Sequence, residues 1–271
     1  MKRRIVLFLL TAAVLAGQGF FIQLADPQFG AATADRDFAQ ETASYEFAVA
    51  NVNRLHPAFV VICGDLINKT GDPAQTAEYF RITAKIDKSI PVYAVAGNHD
   101  VGNEPTPATL AYYRERWGPD YYSFRHGDVY GIVLNASLIS APARAQGEAD
   151  KQEAWLKAEL VKAKASGARH IVVFQHQSWF LENPGEPAQY FNIPLEQRKR
   201  YLDLLKAAGV RYVFAGHYHR NAYGKDGNLE MITSGPVGRP LGNDPSGIRI
   251  VTVGPNALEH RYYAMAEIPS Q

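Results

Sequence analysis

A chain of 271 residues, 46% hydrophobic and 20% charged, has an ordinary globular balance and can bury a substantial core as one large domain or two small ones. Three tryptophans, fifteen tyrosines and thirteen phenylalanines exclude a disordered chain, and no Gly/Ser tract, run of like charge or internal repeat marks a linker. A formal net charge of +1 leaves nothing like the basic footprint of a nucleic-acid binder, so no nucleic-acid partner is expected.

In chain order, Lys2, Arg3 and Arg4 precede an apolar run from Ile5 to Ala16 that only Thr11 interrupts. The run is shorter than the roughly 20 residues a membrane-spanning helix needs, and Val14-Leu15-Ala16 has the spacing a signal peptidase prefers. Residues 1–17 are therefore expected to be a signal peptide, residues 18–271 one domain, and the protein exported, periplasmic or extracellular. No stable membrane anchor is expected after cleavage; the alternative is an uncleaved N-terminal anchor. Gln18 stands where a lipidated protein would need cysteine. Residues 1–17 carry three basic and no acidic side chains, so removing them takes the charge to about −2.

Strands are predicted at Phe20–Ala25, Ala58–Cys63, Val92–Ala96, Val129–Asn135, His170–Gln175 and Arg211–Ala215. Helical spacing connects Tyr45, Ala48, Val49, Val52 and Leu55, then Leu156, Leu160 and Ala163, then Tyr201, Leu204, Leu205 and Ala208, with Gly209 placed as a C-cap. The alternation predicts βαβ units and largely parallel sheets. "NLEMITSG" and "GIRIVTVGPNALEHRYYAM" read as strands and hairpins without helices, so the expected fold is a two-sheet α/β sandwich. The one cysteine, Cys63, excludes an intramolecular disulfide and reads as a small buried apolar residue.

In open α/β folds chemistry sits at the carboxyl ends of strands. There the chain places "DPQ" (Asp26, Gln28), "GD" (Asp65), "GNHD" (Asn98, His99, Asp100), His176, and "GHYH" (His217, His219). Singly, Asp26-Pro27 and Gly64-Asp65 are common turn chemistry, and a lone strand-end histidine is more often hydrogen-bonded than ligating. Five such accidents at successive strand ends are much less probable than one site. The mixture of carboxylate, amide and imidazole donors suits hard or borderline divalent cations.

These motifs, from Phe20 to about Tyr263, resemble those of the calcineurin-like metallophosphoesterases. Within that family, "LADPQFG", "GNHDVGNEPT", "FAGHYHRNA" and "LGNDPSGIRIV" are similar to the calcineurin-like phosphoesterase domain-containing protein 1 subfamily. The resemblance implies an αββα-type sandwich with a dinuclear metal site at strand C-terminal ends. Asp26, Gln28, Asp65 and His219 would hold one ion, and Asp65, Asn98, His176 and His217 the other. The ions would be divalent: Mn²⁺, Fe²⁺ (or Fe³⁺), Mg²⁺ or Zn²⁺. Gln28 departs from the family's usual histidine, and its harder amide oxygen favours Mn²⁺, Mg²⁺ or Fe²⁺ over Zn²⁺.

The activity so implied is hydrolysis of phosphate monoesters, phosphoserine and phosphothreonine among them, by in-line attack of a hydroxide shared by the two ions. His99 is expected to protonate the leaving alkoxide, with Asp100 accepting its other ring N–H and fixing its tautomer. The partner is a phosphorylated small molecule or protein. The alternatives are a phosphodiesterase acting on cyclic nucleotides or lipid headgroups, and a non-catalytic metal-dependent binding protein. In the long connection from Gln177 to Pro194, Trp179, Phe180, Tyr190 and Phe191 either wall the pocket or anchor the loop. Asn68 either orients substrate or caps a helix, and Arg239 reads as a solvent-exposed arginine.

Overall fold

The apolar run Phe20–Leu24 forms strand β1, and its alternating side chains are buried on both faces. Ile22 and Leu24 face one apolar layer, while Phe21 and Ala25 face another. The computed structural model describes residues 19–270; the expected signal peptide at residues 1–17 lies outside the described residues. Among the described residues no helix is long and apolar enough to cross a membrane.

Parallel to β1 run β2 (Val60–Cys63) and β3 (Val92–Val95), with Ile22 opposite Val60 and Ile62 opposite Ala94. The C-terminal hairpin of β10 (Gly247–Val253) and β11 (Leu258–Ala264) returns to this sheet, β10 lying antiparallel to β1. The resulting order is β11-β10-β1-β2-β3. The second sheet holds β4 (Tyr122–His126), β5 (Val129–Val133), β6 (His170–Phe174), β7 (Tyr212–Ala215), β8 (Ala222–Asp226) and β9 (Leu229–Thr233). Its order is β4-β5-β6-β7-β9-β8, parallel from β5 to β9 and antiparallel at both edges.

Three apolar layers hold the sandwich together. Outside the first sheet, α1 (Ala39–Leu55), α2 (Pro73–Thr83) and α4 (Pro107–Trp117) bury Tyr45, Val52, Tyr79 and Leu110 against Ile22 and Ile62. Outside the second, the short α5 (Ala136–Ser140), α6 (Gln146–Ala165) and α7 (Leu195–Ala207) bury Ile139, Leu156, Leu160, Tyr201 and Leu205 in one cluster with Val173 and Val213. Between the sheets, Phe21 stacks on Phe59 at 4.6 Å and meets Phe174 and Phe214 edge-on at 5.7 Å. This is the predicted αββα sandwich. Local signals agree with it. Asp72 caps the N–H groups of Ala74 and Gln75 ahead of Pro73, and Gly209 follows α7 at φ 84°.

The sequence did not single out β4 and β8. Both are edge strands, and "YSFRH" and "AYGKD" carry the polar and glycine residues that edges tolerate. The predicted strands also ran past their ladders at Ala25, Ala96, Asn135 and Gln175. Those residues are buried and lie beyond the strand ends, where the chain turns to present its polar groups, although Gln175 N–H still bonds to Phe214 O of β7 at 3.0 Å. Phe214→Ala is expected to lower stability by about 3–5 kcal/mol in guanidinium unfolding, since its ring closes the layer between the sheets. A loss below about 1 kcal/mol would show that this layer does not hold the sheets together.

Candidate metal centre

Parallel strands of both sheets end on one side of the sandwich, and the loops beyond them carry the polar residues singled out above. Asp26 and Gln28 follow β1, Asp65 follows β2, and His176 follows β6. His217 and His219 follow β7, while Asn98, His99 and Asp100 open the short helix α3 (Asn98–Val101) after β3. Asp26, Gln28, Asp65, His217 and His219 all have positive φ, between 40° and 67°. Non-glycine residues rarely adopt this left-handed region, so the surrounding structure must hold them there.

Part of that hold is visible in the backbone. Asp26 N–H bonds to Gly64 O at 3.1 Å, Gln28 N–H to Asp65 O at 2.9 Å, and Gly216 N–H to His176 O at 3.1 Å. The Asp26 carboxylate accepts the N–H of His217 at 3.1 Å, joining a β1 loop to a β7 loop across the two sheets. His99 N–H donates to Asp65 Oδ1 at 2.9 Å. Gly97 is required by close approach, because a Cβ there would overlap the backbone nitrogen and carboxylate of Asp65.

Two buried groups of ligand atoms result: Asp65, His176 and His217, and Asp26, Asp65 and His219. Within each, the atoms lie within 4.8 Å of one another, and Asp65 belongs to both. Each histidine is fixed by a backbone carbonyl. His176 Nδ1 meets Cys63 O at 2.8 Å, His217 Nε2 meets Tyr190 O at 2.9 Å, and His219 Nδ1 meets Arg239 O at 2.5 Å. A carbonyl only accepts, so these ring nitrogens carry the protons, and in the neutral imidazole the other nitrogen of each ring offers its lone pair.

The polar atoms fit cations. Asn98 Nδ2 donates to Asn103 Oδ1 at 2.9 Å, which turns Asn98 Oδ1 inward, 3.0 Å from His176 Nε2; Asp65 Oδ1 lies 3.1 Å from the same nitrogen. Asn98 Oδ1, Asp65 Oδ1 and His176 Nε2 thus converge on one point, where positive charge is favoured. Gln28 Nε2 donates to Asn68 Oδ1 at 3.2 Å, and its Oε1 is buried with no hydrogen-bond partner. A buried orphan oxygen is costly unless something positive meets it. Electrostatics agree. Burial opposes the His176 imidazolium, yet Asp65 beside it pushes the ring up to about 9. Burial and the His176 charge together pull His217 down to about 4. Burial acts to raise Asp65, but His176, with His99 and His217, holds it well below the usual carboxylate range.

One expected contact is corrected. Asp100 does not touch His99. Its buried carboxylate accepts the N–H groups of Gly97, Leu66 and Ile67 at 2.8, 2.9 and 3.2 Å, clasping the β2 loop to the β3 loop. Burial and the nearby Asp65 charge push its pKa up to about 8. Successive residues of a helix point about 100° apart, so Asp100 enters the core while His99 turns to the cavity. The His99 tautomer is set instead by Asn68 O, 2.5 Å from Nδ1. Asn68 caps no helix: its amide joins Gln28 to Asp35.

The cavity above these residues, about 210 Å³, is lined by Asp65, His99, His217 and His219, with Tyr190 and Phe191 on one wall. The two aromatic pairs of the long loop divide. Trp179 and Phe180 are buried against the second sheet, whereas Tyr190 and Phe191 face the cavity. Arg239 is exposed at the rim, with its guanidinium on Ala31 O at 2.9 Å. Sequence reasoning missed Asn103 and Arg198, the latter on α7. Neither has a motif, because one acts on an amide and the other on backbone carbonyls.

Comparison with known proteins agrees. The calcineurin-like phosphoesterase family matches residues 21–221. The bovine serine/threonine-protein phosphatase CPPED1 is 42% identical over 267 residues, spanning 93% of this chain and 85% of that protein. The human protein of the same name is 40% identical over 268 residues, with the same coverage. Among solved structures, Plasmodium GAP50, described as the anchor in the inner membrane complex, superposes with a TM-score of 0.68 at 16% identity. It covers 92% of this chain and 85% of that one, a likeness of fold alone. With the candidate ligands at the strand ends, the shared Asp65 and this extended similarity together, the chain belongs to the calcineurin-like phosphoesterase family and is a metal-dependent hydrolase of phosphoric esters.

Proposed function

We infer that the protein is a phosphomonoesterase acting on phosphoserine and phosphothreonine side chains, with the two ligand groups around Asp65 as its metal centre. The observation that carries this reading is Asp65 itself, a buried carboxylate shared by both groups. The substrate class follows the two mammalian relatives named as serine/threonine phosphatases. Asp26, Gln28, Asp65 and His219 would hold one ion, and Asp65, Asn98, His176 and His217 the other. Two bound divalent cations would neutralise charge on the phosphoryl oxygens and acidify water at the site.

The side chains supply the rest. With Nδ1–H held by Asn68 O, His99 directs Nε2 toward the cavity, where it delivers a proton to the departing ester oxygen. Asp100 keeps the loops of β2 and β3 in register, so its role is positional. The amide oxygen of Gln28 is a hard donor, which supports Mn²⁺, Mg²⁺ or Fe²⁺ over Zn²⁺. The segment of residues 1–17 supports export, and N-terminal sequencing of the protein from outside the cytoplasm should then begin near residue 18. An intact Met1 in that fraction would sink the signal-peptide reading.

Two further measurements test the chemistry. Titration of metal-free protein with Mn²⁺, Mg²⁺, Fe²⁺ and Zn²⁺, followed by turnover of p-nitrophenyl phosphate and bis(p-nitrophenyl) phosphate, should show metal-dependent monoester hydrolysis. Asp65→Asn should lose both tight Mn²⁺ binding and turnover, and preference for the diester would instead make the protein a phosphodiesterase. His99→Gln should retain metal and lower kcat by about 10²- to 10⁴-fold on an alkyl phosphate such as phosphoserine. The loss should be smaller on p-nitrophenyl phosphate, whose leaving group needs little protonation. Equal losses on both esters would remove His99 as the proton donor.

A further inference from the structure

The loop between His176 and α7 is more constrained than its length suggests. The Glu186 carboxylate accepts the backbone N–H groups of Leu181, Glu182 and Asn183, and the side-chain N–H of Asn192, at 2.7 to 3.2 Å. From α7, the buried Arg198 guanidinium donates to the carbonyls of Ile193, Pro184 and Glu186 at 2.7 to 3.1 Å. Trp179 stacks on Tyr201 at 5.4 Å and fixes the start of the loop to the same helix. None of these contacts uses the Tyr190 side chain.

Tyr190 is nevertheless held at both ends against the metal centre. Its carbonyl accepts His217 Nε2–H at 2.9 Å, and its ring lies 4.9 Å from the His217 ring. Its hydroxyl accepts a hydrogen bond from Asn98 Nδ2 at 3.3 Å. The bond uses a lone pair of the phenol oxygen, and among the described residues the O–H proton meets no protein acceptor. Tyr190 is 59% exposed, so it does not serve as core, and it lines the cavity that holds Asp65, His99, His217 and His219.

We propose that Tyr190 is a further catalytic residue, whose hydroxyl donates a hydrogen bond to a non-bridging oxygen of the bound phosphoryl group. Fixed beside Asn98 and His217, it gives that oxygen a donor besides the cations, and no proton is transferred. A preorganised donor aimed at phosphoryl oxygens, where negative charge is concentrated, is catalytically effective because it needs no reorganisation during reaction. The role rests on the reading of the site as a phosphomonoesterase.

The test is Tyr190→Phe in the full chain. It removes the O–H while keeping the ring on His217 and the backbone carbonyl. Calorimetry should give the same Mn²⁺ affinity as the native protein. Inorganic phosphate should bind the Mn²⁺-loaded variant about ten-fold more weakly, the loss expected for one hydrogen bond to a charged group. The value of kcat/KM for p-nitrophenyl phosphate should fall at least as far. Unchanged phosphate affinity would overturn the proposal and leave Tyr190 as a rim residue. Weakened Mn²⁺ binding would also overturn it, because the hydroxyl would then act on the metal centre. If the native Mn²⁺-loaded protein neither binds phosphate nor cleaves the monoester, the phosphomonoesterase reading fails and Tyr190 loses its role with it.

Discussion

The carboxylate of Asp65 is the charge around which this protein is built. It is buried where the loops of the two sheets meet, and it serves both groups of candidate ligands. A lone negative charge in such a place would be strongly destabilising. The rest of the arrangement answers it. The backbone N–H of His99 bonds to it, His176 approaches with a ring whose pKa is raised by it, and Gly97 leaves room for it. Asp100, whose pKa the Asp65 charge raises, is held by three backbone N–H donors of its own. The strained conformations of Asp26, Gln28, His217 and His219 converge on the same point. Strain at several neighbouring positions persists only where the surroundings over-determine it, and here they do so through cross-sheet hydrogen bonds.

The scaffold and the chemistry are separable. A protein described as an anchor shares this fold closely enough to superpose over most of its length. Sheet order and layer packing therefore establish where a site can be built and say nothing about what it does. The functional statement rests on side chains at five strand ends, on the four histidine rings oriented by carbonyls, and on an amide oxygen with no partner.

Much of this was legible in the amino-acid sequence for physical reasons. Central strands buried on both faces read as continuous apolar runs, so β1, β2, β5, β6 and β7 stood out, and the edge strand β3 is apolar enough to have joined them. The site residues stood out because three polar groups directly after a buried strand, as in Asn98-His99-Asp100, have no use unless something binds them. The edge strands β4 and β8 were invisible, since solvent and neighbouring turns shape their composition more than the core does. The partner of His99 was misjudged because sequence proximity favoured Asp100. A carbonyl such as Asn68 O leaves no trace in residue identity, and the same holds for Tyr190 O and Arg239 O. The division of the long loop between Trp179 and Phe180 in the core and Tyr190 and Phe191 at the cavity depends on Arg198, which is remote from them in any motif.

The return of the C-terminal hairpin to the first sheet bears on how the protein matures. β10 is hydrogen-bonded along the length of β1, the strand that delivers Asp26 and Gln28, and it is nearly the last element of the chain. A ribosome releasing the polypeptide in order would thus have made every candidate ligand, from Asp26 to His219, before the sheet that carries the first of them could close. Completion of that sheet is in this way postponed until all of them are in place along the chain. A truncated or stalled chain would expose β1 as an open edge and own every ligand, yet lack the geometry to use them.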